Sequence, residues 1–175
     1  AIDKAVKSAG GEDYESVRYE GYGPNGVAFM VDCLTDNRNR TAMLVRSTFT
    51  KRGGNLGTDG SVSYMFERKG SIVIPGEYDE ETMMMTALDA GALDFESADG
   101  NYLITTDQNT FTTVRDALEA KGYVFETAEV TMIPQNYQTL TDEKQLMQIE
   151  KLLDGLEEND DVIDVYHNWE SEDEE

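Results

Sequence analysis

The sequence is short of positive charge. Its 14 Lys and Arg stand against 36 Asp and Glu, a formal net charge of −22 over 175 residues. A surface that holds nucleic acid by its overall field does so through Lys and Arg displacing condensed counterions, so general polyanion binding by the whole surface is excluded. Cys33 is the only cysteine, so no internal disulfide can form, and it reads as a buried thiol in a reducing compartment. His167 is the only histidine. One His and one Cys cannot supply a nucleophile, a base and an orienting group; no catalytic residue, metal site or cofactor is expected. No apolar run approaches the roughly 20 residues that span a bilayer, and no signal-peptide pattern opens the chain. These absences predict a soluble cytoplasmic protein with no membrane partner. What is present is a foldable pattern, with 39% hydrophobic residues recurring at strand and helix periods.

Ala1 to Lys7 reads as the end of a helix running into Gly10-Gly11, which suggests a segment upstream. From Glu15 the period becomes two. Val17 and Tyr19 lead into a glycine-rich turn at 21–26, and Val27, Phe29, Val31 and Cys33 alternate on a returning strand. Thr35 and Asp36 are the expected N-caps of a helix whose buried stripe is Ala42, Val45 and Phe49, ended by Gly53-Gly54. Val62, Tyr64 and Phe66 predict a strand, Lys69-Gly70 a turn, and 71–74 the return. After Pro75-Gly76 the pattern gives a helix over 79–90, short strands around 93–95 and 102–104 with Asp99-Gly100-Asn101 turning between them, and a helix carrying Phe111, Val114 and Leu118. A strand over 123–132 follows. Helix 141–158 holds Leu146, Ile149, Leu153 and Leu156 in register, with Asp142 and Gln145 spaced as a capping box. The last strand is 162–167.

That final helix and strand have no sheet of their own. The economical solution is a discontinuous α+β domain of 14–74 plus 141–169, with 75–140 inserted, each half a two-layer sandwich on an antiparallel sheet. Residues from 170 read as a solvated acidic tail.

Charge is distributed unevenly over this scheme. Residues 35–69 carry 7 basic and 3 acidic side chains, whereas 70–140 carry 2 and 13, and 141–175 carry 2 and 14. At about 100° per residue Arg40 and Lys51 lie opposite the apolar stripe of the first helix, Arg46 sits at its flank, and Arg38 lines up with the stripe at the first turn. The alternative is a solvated helix face, with Lys51 and Arg52 placed where the macrodipole favours cations. The run Gly53-Gly54-Asn55-Leu56-Gly57-Thr58-Asp59-Gly60-Ser61 invites a phosphate-loop reading but lacks Gly-Lys-Ser/Thr and follows a helix rather than a strand. A loop leading into a strand is expected instead. The Met83-Met84-Met85 run reads as core filling, the pairs Asp160-Asp161 and Glu80-Glu81 lack calcium-loop spacing, and His167 reads as a packed or rim histidine.

Five stretches, Tyr19-Glu20-Gly21-Tyr22-Gly23-Pro24, residues 34–41 (LTDNRNRT), residues 53–57 (GGNLG), residues 128–134 (AEVTMIP), and Asp160-Asp161-Val162 with Val165-Tyr166-His167-Asn168, jointly resemble the YebC/PmpR family, to which the mitochondrial translational activator of cytochrome c oxidase is related. The resemblance implies three domains: an N-terminal helical domain, of which 1–13 would be the remnant, and two α+β domains, one inserted in the other. The expected class is therefore α+β, two ferredoxin-like two-layer sandwiches with antiparallel sheets, the second inserted into the first. It also implies a non-enzymatic, DNA-binding transcriptional regulator, or alternatively a ribosome-associated translation factor touching rRNA and relieving stalling. A further alternative is an acidic module that binds a basic protein. Contact with DNA or the ribosome would be carried mainly by the missing domain. The contact candidates within this chain are Asn37, Arg38, Arg40, Arg46, Lys51, Arg52 and Asn55.

Overall fold

A computed structural model describes residues 13–170; the expected helix end at 1–9 and the acidic residues 171–175 lie outside the described residues. The chain divides into two compact units, one built from 13–66 with 134–170 and the other from the intervening 67–133.

In the first unit the alternating segments form strands β1 (Glu15–Tyr22) and β2 (Ala28–Thr35), joined through a short 3-10 turn at Pro24–Gly26. They pair antiparallel with Val17 opposite Cys33 and Gly21 opposite Phe29. Helix α1 (Arg38–Lys51) follows, then the two-residue strand β3 (Asn55–Leu56). Sheet order is β3-β1-β2-β8, where β8 is Val162–His167 at the end of the chain. The long apolar-periodic segment gives the second helix of this unit, Glu143–Glu157. Its Ile149, Leu152 and Leu156 close over Val27, Phe29, Val31 and Cys33 together with Val45 and Phe49 of α1. Thus the terminal helix and strand complete a sheet begun more than a hundred residues earlier.

The second unit has strand β4 (Phe66–Pro75), helix α2 (Glu80–Ala90), strands β5 (Asp94–Ala98) and β6 (Asn101–Asp107), helix α3 (Phe111–Ala120) and strand β7 (Thr127–Pro134), with sheet order β5-β6-β4-β7. Helix Glu143–Glu157 is accordingly α4. Ile72, Ile74, Tyr102 and Ile104 of the sheet face Met83, Ala87, Phe111, Val114 and Leu118 of the helices. Met83 fills this core as expected, whereas Met85 is exposed.

Several local expectations are corrected. Residues 63–65 form a 3-10 turn rather than a strand. Lys69 and Gly70 lie inside β4, opposite Asp107 and Thr106, so the whole of β4 belongs to the second sheet and the boundary falls near residue 66 rather than at 75. Glycine is required at 70 because α3 sits on the strand there: a Cβ would stand 2.6 Å from a Phe111 ring carbon. Strand β7 begins at Thr127; Tyr123 and Phe125 pack against the core without joining a ladder.

Candidate nucleic-acid interface

Helix α1 is capped by Asn37, not Thr35 or Asp36. The Asn37 side chain accepts the N–H of Arg40 at 3.1 Å, while Thr35 Oγ1 accepts the N–H of Asn37 at 2.9 Å. This reflects depth: Thr35 is fully buried at the end of β2 and is used one residue earlier. The amide oxygen of Asn37 is therefore engaged within the fold.

Arg38 is exposed and lies 3.6 Å from the carboxylate of Glu15, the first residue of β1. Arg40 is held more firmly. Its guanidinium donates to the Asp161 carboxylate at 3.0 Å and to Asp36 at 3.2 Å. Asp161 is buried and also accepts the Thr41 hydroxyl at 2.7 Å, tying the first turn of α1 to the approach to β8. The hydrogen bond to Asp161, followed by that carboxylate's charge, raises the Arg40 pKa above its ordinary value. An open cleft of about 610 Å³ adjoins this pair, with Asp36, Glu158, Asp160 and Asp161 among its lining groups. A phosphate would be repelled there.

At the other end of α1 the cations are available. Arg46 and Lys51 are exposed, Arg52 is half-buried, and none of the three forms an ion pair among the described residues. Asn55 is exposed on β3, opposite Tyr22. Of the seven candidates, Asn37 and Arg40 are engaged within the fold, Arg38 has only a loose surface pair with Glu15, and Arg46, Lys51, Arg52 and Asn55 carry no ion pair among the described residues.

The glycine-rich segment 53–61 is not a phosphate cradle. Gly57 N–H donates to the Glu20 carbonyl at 2.8 Å, and the buried Glu20 carboxylate accepts N–H groups from Gly60 (2.8 Å), Val62 (2.9 Å) and Ser63 (2.7 Å). Tyr22 adds a hydroxyl donor to the Ser61 carbonyl. Burial pushes the Glu20 carboxyl up, but the three backbone donors outweigh it and hold the group below the usual carboxylate range. The glycines serve close packing: a Cβ on Gly54 would clash with the Tyr22 carbonyl, and one on Gly53 would stand 2.8 Å from the Gln148 amide. Glu20 and Asp161 stand in stretches noted in the sequence, but neither was expected to organise the fold as these hydrogen bonds show. Their signal was position alone, an acidic residue inside or just before an apolar-periodic strand.

His167 is a packed residue. Its Nδ1 accepts the Trp169 N–H at 3.1 Å, its ring stands 5.5 Å from that of Phe29, and burial lowers its pKa. Among the described residues no group of three or more His, Cys, Asp or Glu is placed to hold a metal, and no helix is long and apolar enough to cross a membrane.

The profile of the family described as "TACO1/YebC second and third domain" matches residues 14–169. The chain belongs to the TACO1/YebC family. A "Probable transcriptional regulatory protein" of Finegoldia magna is 52% identical over 176 residues, covering 98% of this chain and 73% of that protein. One from Clostridioides difficile is 54% identical over 174 residues, with the same coverage of both chains. The crystal structure of a conserved hypothetical protein from Aquifex aeolicus superposes with a TM-score of 0.79 at 44% identity, over 97% of this chain and 72% of that one. The α+β fold with two antiparallel four-stranded sheets is therefore that of the TACO1/YebC family.

Proposed function

We propose that this chain is a non-enzymatic regulator of gene expression that contacts the DNA backbone through the C-terminal half of α1 and the adjoining Asn55. The observation that carries this reading is the accessibility of Arg46, Lys51 and Arg52 in a molecule where the first-turn arginine Arg40 is tied to carboxylates. Contacts of this kind position a nucleic acid without reading its sequence. Base readout would have to come from elsewhere in a longer protein.

Ribosomal RNA presents the same phosphates and is the alternative partner. Crosslinking in cells followed by sequencing of the bound nucleic acid separates the two: recovery of promoter DNA supports the transcriptional reading, and recovery of ribosomal RNA replaces it with a translational one. If neither is recovered, and a salt-sensitive complex with a basic protein survives reversal of Arg46, Lys51 and Arg52 to Glu, the acidic surface is the working face and the proposal is wrong.

A further inference from the structure

Helix α4 sorts its side chains into three stripes. At about 100° per residue Ile149, Leu152 and Leu156 fall on the core side, and Glu143, Glu150, Asp154 and Glu157 share an arc of about 60° centred about 120° from it. Lys144, Gln148, Lys151 and Gly155 occupy a third arc of about 60°, about 120° from the core in the other direction. Two close approaches fix where this third stripe lies. A Cβ on Gly155 would stand 3.0 Å from the Thr48 methyl of α1, and Gln148 abuts Gly53 just beyond the end of that helix. The stripe therefore faces α1. The only two basic residues of a segment with 14 carboxylates are both on it. Both lysines are exposed, and neither forms an ion pair among the described residues.

On α1, taking Thr48 as the point that faces α4, Lys51 lies about 60° around toward solvent and Leu44 about 40° on the same side, whereas Arg46 is about 160° away on the far flank. The two helices run in opposite directions past these contacts, Thr48 beside Gly155 and Gly53 beside Gln148. The outer groove between them is consequently charged at both ends, with the exposed Leu44 on its wall between. One end carries Lys51 of α1 with Lys144 and Lys151 of α4, whereas the half-buried C-cap Arg52 falls on the other side of Thr48. The other end is the cleft with Asp36, Glu158, Asp160 and Asp161, where Arg40 is already paired.

We infer that a phosphodiester backbone crosses this groove at its cationic end, held jointly by Lys51 of the α1 terminus and Lys144 and Lys151 of α4, and that the carboxylate-lined end stops it short of Arg40. The inference rests on the nucleic-acid reading above and adds to it a contact helix, a direction and a limit. Three cations brought to one groove from two helices can neutralise adjacent phosphates, whereas α1 alone offers Arg46 and Lys51 on opposite flanks. The acidic end gives the site an edge by repulsion, which limits how many phosphates can be engaged.

The test is fluorescence anisotropy with the 175-residue chain, a labelled DNA duplex and a labelled structured RNA, at salt between about 50 and about 200 mM. The double variant Lys144→Glu/Lys151→Glu is expected to bind on the order of tenfold more weakly, with the log–log salt slope on duplex reduced by about 1.8, at about 0.9 per lost phosphate contact. Lys144→Gln/Lys151→Gln, which keeps the stem packing, should reproduce the change in slope. Arg40→Gln should leave affinity within about twofold, and Glu158→Gln/Asp160→Asn should tighten binding by extending the favourable field. If Lys51→Glu weakens binding while both α4 double variants match wild type, the inference fails and the nucleic-acid reading stands. If Arg40→Gln weakens binding as much as Lys51→Glu, the acidic limit fails. If wild type binds neither probe, the nucleic-acid reading itself falls and takes this inference with it.

Discussion

At Glu20 one carboxylate organises a segment forty residues away. Three backbone N–H groups converge on it, and replacing it with Gln leaves a neutral oxygen that accepts less strongly and an NH₂ with no acceptor. Glu20→Gln should cost about 2 kcal/mol and expose the amides of Gly60, Val62 and Ser63 to exchange, measured by hydrogen exchange against wild type. Since the folded carboxyl is held below the ordinary value of about 4.3, its contribution is complete above that pH and is lost as pH falls through the lower folded value. His167 follows the same sign for a different reason. Burial disfavours the imidazolium, and Nδ1 must be unprotonated to accept from Trp169. Stability of the first unit should therefore decline as pH drops below the ordinary imidazole value of about 6.5, and His167→Asn should flatten that decline. Trp169, the only tryptophan, reports it directly by fluorescence. Asp161→Ala should also destabilise the first unit, by about 1–2 kcal/mol in denaturant unfolding, because the Thr41 hydroxyl loses its 2.7 Å acceptor and Arg40 keeps only its exposed pair with Asp36.

At the scale of elements, what sequence periodicity predicts well is what local physics determines. Helices α1 to α4 and the strands of the first hairpin were legible because each shows an apolar face at its own period and a capping or glycine signal at its end. The misreadings occur where a distant group decides. Val62, Tyr64 and Phe66 alternate like a strand, yet Glu20 takes the N–H groups of Val62 and Ser63 and bends the chain into a 3-10 turn. Gly70 resembles a turn residue because glycine favours turns, but here it admits Phe111 of α3 onto the sheet. Gly70→Ala should then destabilise the second unit by about 1–3 kcal/mol in thermal unfolding, as overpacking does, whereas the same change in a true turn of negative φ would be nearly neutral. The α1 cap moved from Thr35 to Asn37 for a comparable reason: burial assigned Thr35 to the Asp161 cluster through Thr41.

At the scale of the whole molecule, net charge is a poor guide to the working surface and its arrangement a good one. The sequence alone located the basic segment at 35–69, because that required only counting along the chain. It could not show that Arg38 and Arg40 face carboxylates from Glu15 and Asp161, since the latter partner is 121 residues away. Nor could it show that α4, which carries the two lysines of the acidic segment 141–175, packs beside the end of α1 through Gln148 and Gly53. The most direct measurement is the salt dependence of binding to duplex DNA and structured RNA by wild type and by Lys51→Glu/Arg52→Glu. A steep negative slope for wild type that becomes shallower by about 1.8 in the variant is the predicted result. Equal slopes for the two proteins would contradict the placement of the nucleic-acid contact at this end of the helix.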